Sequence, residues 1–145
     1  MQTSGDREKG RLASTSLFIE PTDSVYLDNM LFCEGLPLNR DDCLRPFIDM
    51  RKTLQAQGIQ VNTIDYYLRG EFTSHRNLFV SLGGLESWEK LKSSPDISLE
   101  AFFFSDCPLV YEKPYKGLKS FAPHFRRIFS YSLGPGLEKY LPQGI

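Results

Sequence analysis

The sequence predicts an α/β protein built around a three-layer, Rossmann- or flavodoxin-like parallel sheet. Strand-like and helical stretches alternate along the chain, as they do in crossover units that join parallel strands. Two strand-like stretches, "NLFVSLGG" at 77–84 and "ISLEAFFF" at 97–104, are almost continuously apolar, which is typical of strands buried on both faces. The 145 residues, 41% of them hydrophobic, suffice for a single domain at 16–145, preceded by a flexible polar tail at 1–15.

The first predicted element is a strand at 16–21, where a short apolar run is stopped by a proline. The mixed stretch 22–40 predicts a long loop with room for a short helix. A long helix then begins near Asp41 or Asp42, because either side chain could cap its first turn.

This helix is predicted to end at Gly58, which is a typical stop residue. Pro46 is tolerated in its first turn because the missing N–H would have no helical partner there. The stretch "IQVNTIDYY" at 59–67 is rich in β-branched and aromatic residues and predicts the second strand.

The second half of the chain predicts three more strands. The third, at 77–84, ends in two glycines and leads into a helix at 85–94, whose early acid and late lysines suit the helix dipole. The fourth strand is predicted at 97–104, a short helix with an internal glycine at 114–122, and the fifth strand, "FRRIFSYS", at 125–132.

Composition excludes several classes of function. A net charge of -1, from 17 basic and 18 acidic residues, argues against a nucleic-acid-binding protein. Three cysteines without a C-x-x-C pair and two distant histidines predict neither a metal site nor a disulfide framework. No apolar run approaches the roughly 20 residues that span a bilayer. We therefore expect a cytoplasmic protein with reduced thiols and no transmembrane segment. A peripheral contact with a membrane remains an open alternative.

Polar residues follow the predicted strands at the edge where open parallel sheets bind ligands. Three carboxylates would lie near this rim, and two glycines there could bring backbone N–H groups to a phosphate. The alternative is that the acids are turn formers or helix caps and the glycines a tight turn. The candidates are Glu20, Asp65, Gly83, Gly84, Asp106, Cys107, Tyr131 and Ser132.

Asp106 is the strongest of these candidates. It follows three phenylalanines, and burial raises the pKa of a carboxyl group toward the range of a general base. Cys107 is expected to be a small packing residue, since the Cys-x5-Arg arrangement of phosphatases fails at Lys113. Tyr111 is a further candidate for substrate binding, with packing as the alternative. Glu100 lies in the middle of a strand and is expected to be a paired acid.

Several of these stretches resemble one known family. "GIQVNTIDYY", "NLFVSLGG", "AFFFSDCPLVYEKPYKGL" and "FRRIFSYS" are similar, in order and spacing, to the N-terminal half of bacterial fucosyltransferase-like enzymes of glycosyltransferase family 10. In that family an acid, a small residue and a proline follow an apolar strand. The resemblance extends over about residues 16–142. It implies the acceptor-side domain of a GT-B enzyme, whose C-terminal half binds a nucleotide sugar, typically GDP-fucose.

The resemblance also implies roles for individual residues. Asp106 matches the family's acid, so it is the candidate base that removes the acceptor hydroxyl proton during inverting transfer, while Cys107 and Pro108 match the small residue and the proline. The family's acid is usually glutamate, and a shift of ~1 Å in a catalytic group can lower the rate by on the order of a hundredfold. The sequence stops near Gln143, where family members continue, so we expect no cofactor in this chain and a donor site only with a C-terminal domain.

Three functions are therefore weighed. The first is the acceptor-side domain of a fucosyltransferase-like enzyme, as a fragment, a truncated product or one half of a split enzyme, with a glycan acceptor and a C-terminal nucleotide-sugar domain as partners. The second is a non-catalytic module of the same fold that binds a glycan or a protein. The third is a small-ligand or nucleotide-binding protein of flavodoxin-like shape.

Overall fold

Five parallel strands form one sheet in the computed structural model, which describes residues 14–104 and 113–130. The sheet order is β2-β1-β3-β4-β5, and each adjacent pair is parallel, so the predicted α/β fold with a Rossmann-like parallel sheet is confirmed. The strands are β1 (Thr15–Glu20), β2 (Ile59–Thr63), β3 (Arg76–Ser81), β4 (Ile97–Phe104) and β5 (Arg127–Ser130).

Short helical elements connect the strands. The α-helices are α1 (Arg45–Ala56), α2 (Ile64–Leu68), α3 (Trp88–Leu91), α4 (Lys113–Lys116) and α5 (Leu118–Phe121). Four 3-10 turns add to them, at Ser24–Tyr26, Met30–Phe32, Arg40–Asp42 and Ala122–His124. Among the described residues no helix has the length and apolar character needed to cross a membrane.

Helices flank both faces of the sheet, but unequally. The face that carries Phe18, Phe79 and Phe102, here called the four-helix face, packs against α2, α3, α4 and α5 in one large apolar cluster. The opposite face, here called the α1 face, packs against α1 and the turn at Met30–Phe32, which lie over β1 and β2. The core is therefore thicker on the four-helix face.

The strand register brings the carboxyl ends of the strands to one rim. Glu20 at the end of β1 lies beside Ser81 of β3, and Ser81 lies beside Phe102 of β4. Phe104 in turn lies beside Ser130, the last residue of β5. This rim is where a parallel sheet of this kind binds its ligands.

The second strand ends earlier than the sequence pattern predicts. β2 stops at Thr63, and "IDYYL" forms α2, so Asp65 is in the first turn of a helix rather than in a strand. The helical turn places Ile64 in the apolar cluster of the four-helix face and lets the Tyr67 ring contact Phe18 at a centroid distance of 5.3 Å. Burial on that face therefore outweighs the strand preference of these residues.

The expected aspartate cap of α1 is wrong. Asp41 and Asp42 belong to a 3-10 turn in left-handed backbone conformations, with φ of 55° and 56°. Leu44 occupies the N-cap position without a side-chain cap, and its own N–H donates to Asn39 Oδ1 at 2.8 Å, which anchors the start of the helix to the preceding turn. The predictions for Pro46, in the first turn of α1, and for a glycine beyond the helix end, where Gly58 has φ of 85°, are confirmed.

Other boundaries differ by smaller amounts. The first strand begins at Thr15 rather than at 16, and the Ser14 carbonyl beside it accepts from the Arg76 N–H at 3.2 Å. The helix predicted at 85–94 shortens to α3, and the one predicted at 114–122 is interrupted at Gly117. The bounds predicted for β4 are confirmed.

Candidate functional site

The candidate site is a cleft between the ends of β1 and β3. From β1 the chain crosses to β2 on one side of it, while β3, β4 and β5 lie on the other side, so the strand order reverses at this point. A cleft of about 160 Å³ opens there. It is lined by Glu20, Pro21, Thr22, Asp23, Ser24, Leu27, Gly84, Leu85, Glu86 and Lys113.

Glu20 forms the floor of the cleft and is only 6% exposed. The Ser87 hydroxyl donates a hydrogen bond to its Oε2, and the Ser87 N–H donates to its Oε1 at 3.4 Å. Burial raises the pKa of Glu20, the Ser87 hydrogen bonds oppose that rise, and the nearby Glu86 carboxylate adds to it. Glu20 therefore links the end of β1 to the residue that precedes α3.

The two glycines after β3 make this close approach possible. A Cβ atom on Gly84 would lie 2.6 Å from Glu20 Cγ and 2.6 Å from the Pro21 carbonyl oxygen. Gly83 has φ of 125°, which favours glycine, and the Ser81 hydroxyl fixes the turn by accepting from the Gly83 N–H and donating to the Gly84 carbonyl at 2.6 Å. Since α3 is four residues long and begins only at Trp88, the structure supports the tight turn rather than a phosphate cradle.

Most of the charged groups in the lining of the cleft are acidic. Glu20, Asp23 and Glu86 contribute carboxyl groups, and Lys113 at the start of α4 contributes one ammonium group. Asp23 also caps the 3-10 turn that follows it, accepting from the Val25 N–H at 2.9 Å. Carboxylates accept hydrogen bonds and do not donate them, so such a lining suits hydroxyl donors and repels phosphate.

Asp106, Cys107, Tyr111, Tyr131 and Ser132 lie outside the described residues. The two described neighbours of segment 105–112 are both informative, however. Phe104 ends β4 and packs in the apolar cluster of the four-helix face, while Lys113 lines the cleft itself. The cleft therefore includes the first described residue after the segment that carries Asp106.

Asp65 lies at the same rim but not in the cleft. Its Oδ2 accepts hydrogen bonds from the Asp28 N–H at 3.0 Å and from Arg69 Nη1 at 3.1 Å. These contacts hold the loop at Asp28 and Asn29 over the end of β2, where the Asn29 N–H donates to Thr63 Oγ1 at 3.0 Å. In the described part of the protein Asp65 therefore acts as a structural acid.

Sequence reasoning missed Ser87, Glu86 and Asp23. Ser87 is joined to Glu20 across 67 positions of the chain, a pairing that no local pattern shows. The available signal was spacing alone, since Glu86 and Ser87 follow directly on the glycine turn at a predicted strand end. Lys113 also lines the cleft.

The prediction for Glu100 is confirmed. Glu100 is a paired acid, which accepts from the Ser98 hydroxyl at 2.6 Å and faces Arg126 at 3.7 Å. Trp88 is 7% exposed in the core of the four-helix face. Within residues 14–104 and 113–130, no three histidine, cysteine or acidic side chains are grouped to hold a metal ion.

Comparisons with models of protein families, with curated proteins and with solved structures found no match to this chain. The function therefore rests on the fold, the cleft and the sequence motifs.

Proposed function

We propose that this chain is the acceptor-side domain of a fucosyltransferase-like glycosyltransferase, which positions a glycan hydroxyl for inverting sugar transfer. The observation that carries the proposal is the acid-lined cleft at the rim between β1 and β3, next to the segment that holds Asp106. The order of the strands in the sheet and the order of the family-like motifs along the chain both support the proposal. The parallel sheet agrees with the domain that the resemblance implies, and the motif acid follows β4 at this rim.

The chemistry of the cleft suits part of a carbohydrate. A sugar ring presents several hydroxyl donors, and Glu86 and Asp23 offer carboxylate acceptors on either side of Glu20. Hydrogen bonds to ionised acceptors are stronger than those between neutral groups. A volume of about 160 Å³ is below the ~300–1,000 Å³ of pockets for drug-sized ligands, so it is scaled to a single ring rather than to a nucleotide sugar.

Asp106 supplies the proposed proton acceptor. It stands two positions after Phe104, the last residue of β4, so its Cα lies within about 7 Å of the Phe104 Cα. In the proposed reaction its carboxylate takes the proton of the acceptor hydroxyl while that oxygen attacks the anomeric carbon, and GDP leaves from the opposite side. Aspartate is one methylene shorter than the glutamate typical of the family, and the bound acceptor has to lie correspondingly closer to β4.

One observation favours a second function, a non-catalytic glycan-binding module of the same fold. Both oxygens of Glu20, the buried carboxyl group of the cleft, already accept hydrogen bonds from Ser87. Glu20 is therefore a structural group, and catalysis depends on Asp106 alone. A domain whose Asp106 does not work as a base would keep the cleft and bind glycans without transfer.

Acceptor binding is tested first, with the isolated chain. A panel of oligosaccharides is titrated against isotope-labelled protein, and the backbone amide signals of Gly84, Leu85 and Glu86 are followed by NMR. We expect these signals to shift saturably with an acceptor glycan and the shift to weaken in Glu86→Gln. The matched control is Glu89→Gln, an exposed acid of α3 outside the cleft. Absence of any glycan-dependent shift in this cleft would contradict both functions.

Transfer is tested by combining the chain with a nucleotide-sugar domain of the family. GDP-fucose and the glycan that binds best are supplied, and fucosylated product is measured by mass spectrometry. We expect product only with both domains present, and a loss of at least a hundredfold in Asp106→Asn. The control Asp49→Asn alters an exposed acid of α1 and should leave the rate unchanged. Saturable glycan binding without transfer in any combination supports the binding module instead.

A further inference from the structure

The sheet has an apolar area that the described residues leave uncovered. On the α1 face, Phe103 of β4 is 38% exposed and Phe129 of β5 is 42% exposed. Their rings stack on each other with centroids 4.8 Å apart and an interplanar angle of 13°. Among the described residues, α1 packs chiefly on β2 and the turn at Met30–Phe32, and neither Phe103 nor Phe129 belongs to an apolar cluster with a helix.

A groove of about 690 Å³ runs between this area and α1. Phe47 and Met50 of α1 form one wall, and Leu17, Val80 and Phe103 of the sheet form the floor. The lining is almost entirely apolar. An apolar groove of this kind can accommodate the apolar side chains of another segment or molecule.

We propose that residues 131–145 of this chain cover the β3–β5 half of the α1 face. The segment begins directly after Ser130, the last residue of β5 and next to Phe129 in the chain. It contains Leu137, Tyr140 and Leu141, whose i, i+3, i+4 spacing puts three apolar side chains on one side of a helical turn. Glu138 and Lys139 fall on the other side, facing water.

The segment is long enough to reach the groove. β5 and β3 are two strands apart, a distance of about 10 Å across the sheet. The six residues 131–136 can span up to ~20 Å when extended, so they carry Leu137 past Phe103 and as far as Val80. A turn of helix placed there would bury Phe103, Phe129 and Val80 together.

The other segments outside the described residues suit the groove less well. Residues 1–13 are mostly polar and join β1 at the end of the sheet opposite the ligand-binding rim. Residues 105–112 connect Phe104 to Lys113, and the helix that follows packs on the four-helix face. A second copy of the chain is the remaining occupant and is an outcome of the test.

The test uses the full chain and two independent readouts. Amide hydrogen exchange is followed by mass spectrometry across 137–141, and binding of 8-anilinonaphthalene-1-sulfonate is followed by fluorescence. We expect protected amides at 137–141 in the monomer and weak dye binding. Leu137→Asp combined with Leu141→Asp should remove that protection and raise dye fluorescence several-fold. The paired control, Glu138→Ala with Lys139→Ala, should change neither readout.

Trp88 reports separately on folding, since it is buried on the four-helix face away from the groove. If the double aspartate variant loses its native Trp88 fluorescence, Leu137→Ala with Leu141→Ala gives the same test with a smaller change. Phe103→Ser provides the reciprocal variant and should also expose 137–141. The proposal is overturned if these amides exchange at unprotected rates in the wild-type monomer. It is equally overturned if the chain dimerises and Phe103→Ser, but not the change at 137 and 141, dissolves the dimer.

Discussion

Gly84→Ala tests whether the two loops at the candidate site are as close as the structure has them. The added Cβ would lie 2.6 Å from Glu20 Cγ and from the Pro21 carbonyl oxygen, so each has to recede by about 0.8 Å to reach an ordinary contact of 3.4 Å. Glu20 is held by Ser87, and the Glu20 carbonyl accepts from the Leu82 N–H at 2.8 Å. Neither loop can therefore move alone.

Overpacking of this kind typically destabilises a protein by about 1–3 kcal/mol. For a chain of this length that corresponds to a fall in Tm of about 3–12 °C. Gly35→Ala is the matched control, because its Cβ would meet only Cys33 Sγ at 3.7 Å, and it should be neutral or stabilise by up to about 1 kcal/mol. At Gly70 an added Cβ would have open space around it, but the backbone φ is 77°, so Gly70→Ala measures the loss of stability that is due to left-handed backbone alone.

The assay is equilibrium unfolding in urea followed by the fluorescence of Trp88, the one tryptophan of the chain. Trp88 is adjacent to Ser87 and buried, so its emission reports on the region under test. Adding Glu20→Ala removes the Cγ and Cδ atoms, and the double variant should lose less stability than the two single losses combined. If Gly84→Ala and Gly35→Ala unfold at the same urea concentration, the close approach of the two loops is wrong.

Three further predictions concern the same rim and the start of α1. Burial raises the pKa of Glu20, so protonated Glu20 stabilises the fold below the unfolded pKa of 4.5, and this stabilisation is lost as the pH rises through the higher folded pKa. Glu20→Gln should therefore flatten the fall in unfolding free energy between pH 4.5 and 8. Identical pH profiles for the variant and the wild type would contradict the burial argument. Asn39→Ala should reduce the unfolding free energy by about 1–3 kcal/mol, measured in urea, because the buried Leu44 N–H loses its acceptor, and an unchanged urea midpoint would contradict this. GDP titrated against the isolated chain should leave the amide signals of Gly84 and Leu85 unshifted, because the cleft is acidic, and saturable shifts there would favour a nucleotide-binding protein.

The local sequence pattern predicted where the buried strands lie. The apolar runs at 77–84 and 97–104 predicted β3 and β4, because a strand buried on both faces needs apolar residues at nearly every position. Residues 64–68 show the limit of such patterns. Their β-branched and aromatic side chains suit a strand, yet the chain turns into α2 there because Ile64 and Tyr67 are buried beneath β1 only in that form.

The candidate site was predictable only in part, because its parts meet through the sheet order. Glu20 and Gly84 stand out as residues at predicted strand ends, and parallel pairing puts such ends at one rim. Nothing local relates Glu20 to Ser87, which lies 67 positions away, or indicates that β1 and β3 rather than β1 and β2 flank the cleft. Those facts depend on the order β2-β1-β3-β4-β5, which alternation of strands and helices does not determine.

The charge of the cleft bears on which half of a sugar-transfer reaction this domain could serve. A nucleotide-sugar donor carries a diphosphate, and a cleft with three carboxyl groups and one lysine would repel it. A glycan acceptor is neutral and rich in hydroxyl donors, so the same lining attracts it. The only ammonium group in the described lining, that of Lys113, lies at the end of the segment that carries Asp106. On the proposed function, the donor is held by a separate domain, with its diphosphate on the side of the transferred sugar that faces away from this cleft.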